Sequence, residues 1–199
     1  MELSRKLEIE SGFLEKYPGE DLLAWDEAHR DIPRIIREKG YEVGLEVGVA
    51  LGGHAECILR DTGLRVLYGV DPYANYKEYQ GDAMNHHQSK MDDLHEMVTS
   101  RLAYYGDRFR LIRKYSVDAS REFKDDTLDF VYLDGNHTGE FVSADLHAWY
   151  DKIRPGGVMS GHDYNHPAFP DLTKVVDMFF ANRGMKVRNL GNHNWCVYK

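Results

Sequence analysis

Residues 42–71 read EVGLEVGVALGGHAECILRDTGLRVLYGVD. The stretch opens on an apolar run of strand character, breaks at a glycine-rich turn, and continues as a short helix that stops at Gly63. A second apolar run, LRVLYGVD, follows and closes on Asp71. Strand, turn, helix and strand within about thirty residues make a β–α–β unit, whose crossover joins parallel strands.

Toward the C-terminus the alternation continues. SKMDDLHEMVTSRLAYYG sets Met91, Leu94, Val98 and Leu102 on one helical face, and FRLIRKY follows as a strand. LDFVYLD is the fourth strand. EFVSADLHAWYDKI then carries Val142, Leu146, Trp149 and Ile153 on one stripe, before a fifth strand, GGVMSG. LTKVVDMFFANRG is helical, and MKVRNLGNHNWCVYK reads as two strands joined around Gly191 and Asn192. Toward the N-terminus, residues 1–38 read as helix, with Leu22, Leu23, Trp25, Ile32, Ile35 and Ile36 apolar and Gly40 as a stop; Pro33 should kink or divide the segment. The expected fold is α/β: a Rossmann-like seven-stranded sheet, mostly parallel, with an antiparallel last strand and helices on both faces. Residues 1–40 form a helical extension of the same domain as 41–199.

The chain has 199 residues, 42% of them hydrophobic and 29% charged, enough to bury roughly 70% of the unfolded surface in one domain. A formal net charge of −8 argues against a nucleic-acid partner, since no basic stripe is offered. Cys57 and Cys196 share no metal-type spacing and read as buried free thiols of a reducing compartment. The charged start, MELSRKLEIESG, suits neither a signal peptide nor an anchor, and no apolar run would span a bilayer, so a soluble cytoplasmic protein is expected. Trp149 and Trp195 read as core, NHHQSK at 85–90 as a solvated loop, and the tyrosine-rich tract over 74–90 as a flap.

Open parallel sheets bind ligands beyond the carboxyl ends of their strands. That rule sets ALGG, Asp71, Ser116, Asp134 and Asp163 on one rim. Gly48, Gly52 and Gly53 let backbone approach a ligand, but their spacing is not the Gly-x-Gly-x-x-Gly of dinucleotide sites. Glu46, just before Gly48, would repel a phosphate and suit an ammonium. Asp71 can bridge two ribose hydroxyls or simply start a turn before Pro72. Ser116 and Asp118 can meet an adenine edge or cap the next helix. Two histidine–aspartate fragments, VYLDGNH at 131–137 and GHDY at 161–164, then face one cleft.

LEVGVALGG, GVDPY and the block DFVYLDGNHTGEFVSADLHAWYDKIRPGGVMSGHDY together resemble the class I S-adenosylmethionine-dependent methyltransferases, nearest the small branch of metal-dependent, macrocin-type sugar O-methyltransferases. The resemblance covers residues 41–199 and is most specific over 131–164. It implies that Glu46, Gly48, Gly52, Asp71 and Ser116 hold S-adenosylmethionine, with Asp134 at the cofactor's edge. It also implies that Asp134 and Asp163 hold a divalent cation, Mg²⁺ by family habit, and that His137 is the base, making Asp134 and His137 the catalytic pair. The chemistry agrees, since a hard cation grips and acidifies an attacking hydroxyl and an imidazole takes a proton near neutral pH. One departure is His162, where relatives often carry a second acid. Imidazole is a poor Mg²⁺ ligand, so His162 is open to three readings: a ligand for a softer ion, a group just outside the ligands, or a contact for substrate. The acceptor implied is a sugar, a glycan or another small hydroxylated molecule. Against this stand a catalytically silent Rossmann-like binding module, a metallophosphoesterase lacking its early Asp-x-His, and a nicotinamide enzyme lacking its glycine spacing. Oligomeric state is not legible.

Overall fold

A computed structural model describes residues 3–20, 30–76 and 87–199. The elements are α1 (Leu3–Lys16), α2 (Asp31–Lys39), β1 (Val43–Val47), α3 (Gly53–Asp61), β2 (Val66–Val70), α4 (Gln88–Leu102), β3 (Phe109–Ile112), α5 (Ser116–Ser120), β4 (Leu128–Leu133), α6 (Gly139–Trp149), β5 (Ile153–Gly161), α7 (Pro170–Ala181), β6 (Arg188–Gly191) and β7 (Asn194–Tyr198). Their strands form one seven-stranded sheet in the order β3-β2-β1-β4-β5-β7-β6. β1 to β5 pair in parallel, and β7 runs antiparallel to both β5 and β6. The seven-stranded, mostly parallel architecture with a reversed last strand is therefore as expected.

β4 shows why the sheet is buried on both faces. All six of its residues are buried; Phe130 and Tyr132 join a core with Ile58, Leu94 and Val98, while Val131 and Leu133 join a second with Leu146 and Trp149. Alternation along a strand sends successive side chains to opposite faces, and helices cover each. The connection from β1 leads to β2 on one side and that from β4 to β5 on the other, so the carboxyl ends of β1 and β4 open a cleft between them.

Three sequence readings are corrected. Pro33 does not divide a helix; it sits in the first turn of α2, where no intrahelical N–H bond is lost, and Ile32, Ile35 and Ile36 are buried behind it. Ile153 begins β5 and does not extend the stripe of α6. β3 ends at Ile112, so Ser116 is the first residue of α5 and not a strand end. Leu22, Leu23 and Trp25 lie outside the described residues.

α1 is tied down by charge as well as by Phe13. Lys6 lies 2.6 Å from Glu56 and 3.0 Å from Glu10; Arg101, fully buried, reaches Glu10 at 2.6 Å and also pairs with Glu56. Two cations and two anions balance, as buried charge requires. Cys57 and Cys196 are free and buried, and Trp149 and Trp195 are core. Among the described residues, no helix is long and apolar enough to cross a membrane.

Candidate active site

The glycine turn after β1 is fixed by contacts to its neighbours. Gly48 has φ +85°, and its amide donates to the Val70 carbonyl at 2.9 Å. Asp134 N donates to the Val47 carbonyl at 2.8 Å, which brings the exits of β1 and β4 together. Asp71 then closes the turn. Its Oδ2 accepts from Val49 N and Ala50 N, both at 3.0 Å, and its Oδ1 from Tyr73 N at 2.8 Å. Ala50 and Tyr73 have positive φ, and the Tyr73 hydroxyl donates to the Ala50 carbonyl at 3.0 Å. Burial raises the Asp71 carboxyl, and the three backbone donors work against that.

Tyr73, just before the tract over 74–90, is fully buried. Gln88, at the start of α4, donates to the Tyr73 carbonyl at 2.9 Å, so the end of NHHQSK is helix rather than solvated loop. Residues 77–86 lie outside the described part.

Gly48 and Asp71 line a cavity of about 680 Å³ together with Ser116, Asp134, Asn136 and His137. Two expected cofactor residues stand back from it. Gly52, with φ +80°, packs toward Val98 and Leu102 of α4, at 3.2–3.3 Å from where its Cβ would lie. Glu46 points to the opposite face, where its Oε1 lies 2.6 Å from His54 Nδ1 in a buried pair. Burial, then the nearby Asp71 charge, pushes the Glu46 carboxyl well above the usual carboxylate range. Asp118 pairs with Arg121 at 2.7 Å.

At the other side of the cavity, α6 contributes an acid that the sequence reading passed over. Asp145 is buried, and burial pushes its carboxyl up to about 7 even though the Ser116 hydroxyl donates to it. Ser116 Oγ in turn accepts from Trp149 Nε1 at 2.7 Å. The available signal was position: Asp145 lies between Val142 and Trp149 on the apolar stripe, where an acid has no solvent. Asn136 was also overlooked. Its Oδ1 accepts from Thr138 N at 3.0 Å, and its buried Nδ2 has no hydrogen-bond partner among the described residues.

The two fragments with histidine and aspartate do meet. Asp134, His162 and Asp163 offer ligand atoms that all lie within 4.8 Å of one another. His137 Nε2 is 3.0 Å from Asp163 Oδ2 and 4.0 Å from Asp134 Oδ1. On an extended strand His162 and Asp163 would point to opposite sides. Here Asp163 has φ +57°, the chain turns, and His162 Nδ1 comes to 3.5 Å from Asp163 Oδ2. Burial alone would raise the Asp163 carboxyl; hydrogen bonds and charge from His137 and His162 overcome it and hold the group well below the usual range. Burial would lower His162, and the Asp163 and Asp134 carboxylates reverse that. Two carboxylates and one imidazole so close together suit a divalent cation, the imidazole favouring ions softer than Mg²⁺.

A sheet of this order, with a glycine turn after β1 and an acid after β2, defines a class I S-adenosylmethionine-dependent methyltransferase fold. The sequence profile of the family described as "Methyltransferase domain" matches residues 45–164, more than half of the chain, and the chain belongs to that family. The dinuclear phosphoesterase and nicotinamide readings fall with that result. An uncharacterized protein, y4gI of Sinorhizobium fredii, is 29% identical over 137 residues; the match takes in 66% of this chain but only 13% of that protein. Among solved structures, an O-methyltransferase of Bacillus cereus bound to S-adenosylhomocysteine superposes with TM-score 0.66 at 14% identity, over 100% of this chain and 92% of that one. The Podospora anserina methyltransferase PaMTH1, also with S-adenosylhomocysteine, gives 0.66 at 12%, over 98% and 88%. The O-methyltransferase NovP gives 0.64 at 19%, over 87% and 78%.

Proposed function

We propose that this protein moves the methyl group of S-adenosylmethionine to a hydroxyl of a sugar or another small hydroxylated acceptor, using His137 as base and a divalent cation held by Asp134, His162 and Asp163. One observation carries the reading: His137 Nε2 lies 3.0 Å from Asp163 Oδ2, beside that three-residue cluster and on the wall of the cavity that Gly48 and Asp71 line. Residues 41–199 then form the cofactor-binding domain and 1–40 its helical extension, and we assign the protein to the cytoplasm with no nucleic-acid or membrane partner.

In this reading the methionine end of the cofactor lies along the Gly48 turn, where the absence of a side chain lets backbone approach. Asp71 keeps one lone-pair site, on Oδ1, beyond its three backbone bonds, and accepts from a ribose hydroxyl there. Methyl transfer forms a carbon–oxygen bond as the carbon–sulfur bond breaks, so S-adenosylhomocysteine leaves and the acceptor oxygen gives up a proton. His137 takes it, and the imidazolium forms against the Asp163 carboxylate, with Asp134 4.0 Å away. A positioned base contributes roughly 10²–10⁴ in rate. A bound cation would lower the pKa of the acceptor hydroxyl and fix its direction. Phe169 packs against the base, its ring centroid 4.7 Å from that of His137. The sugar acceptor is favoured by the likeness of residues 131–164 to macrocin-type enzymes.

The test is a methyl-transfer assay over sugars, glycans and phenols, read by mass, with and without EDTA. Transfer to a sugar that EDTA abolishes, with S-adenosylhomocysteine affinity unchanged, is expected. Full activity in chelator would remove the cation, and transfer to phenols alone would remove the sugar.

A further inference from the structure

We infer that the corner of the β6–β7 hairpin belongs to the cation site and sets which ion it takes. Tyr132 and Asn194 hold the Asn192 carbonyl, that carbonyl locks His162 with Nδ1 toward Asp134 and Asp163, and the site takes a first-row transition cation over Mg²⁺. The inference rests on the cation reading above and adds what positions its one nitrogen ligand. Three observations carry it.

The first is the corner itself. Gly191 pairs with Asn194, and the two residues between them, Asn192 and His193, have φ of +46° and +60°. Such a two-residue hairpin turn needs positive φ at both central positions. The corner is also stitched to the chain just after Asp163. Tyr164 N donates to the His193 carbonyl at 2.9 Å, and His193 Nδ1 donates to the Tyr164 carbonyl at 3.2 Å. Hairpin corner and segment 162–164 are therefore held as one piece.

The second is a chain of hydrogen bonds that ends on His162. The Tyr132 hydroxyl donates to Asn194 Oδ1 at 2.8 Å, and Asn194 Nδ2 donates to the Asn192 carbonyl at 3.4 Å. The same carbonyl accepts from His162 Nε2 at 3.2 Å. Tyr132 and Asn194 are fully buried, on the strands either side of β5, which ends one residue before His162. Buried polar groups cost stability unless bonded, and one bond of this pair goes to the carbonyl that holds the imidazole.

The third is what that bond does to the ring. A carbonyl only accepts, so Nε2 carries the hydrogen and Nδ1 is the nitrogen left to bind an ion. Nδ1 lies 3.9 Å from Asp134 Oδ1 and 3.5 Å from Asp163 Oδ2. A metal-binding histidine commonly gives its other N–H to a carbonyl or carboxylate, which fixes the ring's direction and tautomer. An imidazole nitrogen adds little for Mg²⁺, which takes oxygen ligands, and much for ions such as Fe²⁺, Co²⁺ or Zn²⁺.

The experiment is calorimetry on the full chain with Co²⁺ and with Mg²⁺, the visible absorption of bound Co²⁺ being recorded alongside. Wild-type protein should bind Co²⁺ tighter than Mg²⁺ by roughly 100-fold or more. His162→Asp, which leaves oxygen ligands alone, should cut that ratio about tenfold or more and shift the Co²⁺ band. Tyr132→Phe should lower Co²⁺ affinity about threefold or more and leave Mg²⁺ affinity as in the wild type, whereas a merely structural defect would weaken both ions alike. Asn194→Ser makes the same comparison should Tyr132→Phe not fold. A wild-type ratio below about tenfold overturns the inference without need of any variant, as does a His162→Asp protein with the wild-type ratio and band. A folded Tyr132→Phe or Asn194→Ser protein with the wild-type ratio overturns the hairpin's part in it. Wild-type protein that binds neither ion overturns the cation reading itself; binding of both without preference overturns only this inference.

Discussion

A Cβ on Gly48 would stand 2.0 Å from the carbonyl oxygen of Asp134. The turn that would receive the methionine end of the cofactor and the residue that would hold the cation are thus in backbone contact. Because φ at Gly48 is +85°, a side chain there meets both a backbone clash and an unfavourable conformation. Gly48→Ala should lower stability by roughly 2 kcal/mol or more and weaken both S-adenosylhomocysteine binding and divalent-cation binding. Urea unfolding with calorimetry checks it. A variant of wild-type stability that binds both would show that the two exits move independently.

Asp71 ties three backbone amides together, so its loss should loosen the turn as well as remove a ribose contact. Asp71→Ala should reduce S-adenosylhomocysteine affinity by roughly 1–3 kcal/mol, about 5- to 150-fold. Hydrogen exchange at Val49 and Ala50 should quicken in the same variant. Unchanged affinity would remove Asp71 from the cofactor site, and unchanged exchange would mean the turn holds itself.

How much of this was legible in the sequence depends on which physical signal each residue leaves. β4 was, because its residues are apolar at every position but Asp129, and the acids after it followed from where strands end. The meeting of His162 with Asp163 was not, because it depends on a left-handed φ at a non-glycine residue, which no composition rule marks. Glu46 was misdirected for a related reason: alternation puts it on the face opposite Val47, toward His54, while the cavity lies by Val47. Tyr73 sat in a polar, aperiodic tract that hid a buried clamp. Asp145 was passed over because an acid one position from Ala144 and Leu146 reads as the wet side of a helix unless its phase against Val142 and Trp149 is counted.

The Asp145 carboxyl gives a pH signature of stability in the ligand-free protein. Its folded value of about 7 lies above the ordinary 3.8, so between these the folded state binds more protons than the unfolded state. Stability from this group is complete below about pH 4 and is lost as pH rises through about 7, up to roughly 4 kcal/mol in all. Subtracting Asp145→Asn, which cannot titrate, isolates it from Asp163, whose depressed carboxyl acts in the opposite sense. Wild-type stability relative to Asp145→Asn should fall between pH 5 and pH 8 in urea titrations. A pH-independent difference would mean that Asp145 is solvated.

The central claim is that His137 takes the acceptor's proton, and its pH–rate profile is the direct measurement. Once an acceptor is in hand, kcat is followed against pH for the wild type and for His137→Ala, with S-adenosylhomocysteine affinity measured alongside. The account predicts a kcat lower by about 10²-fold or more in the variant, an acidic limb that rises in the wild type and is flat without His137, and cofactor affinity unchanged. A His137→Ala enzyme with wild-type kcat, or with the same acidic limb, would contradict it and pass the proton to another group.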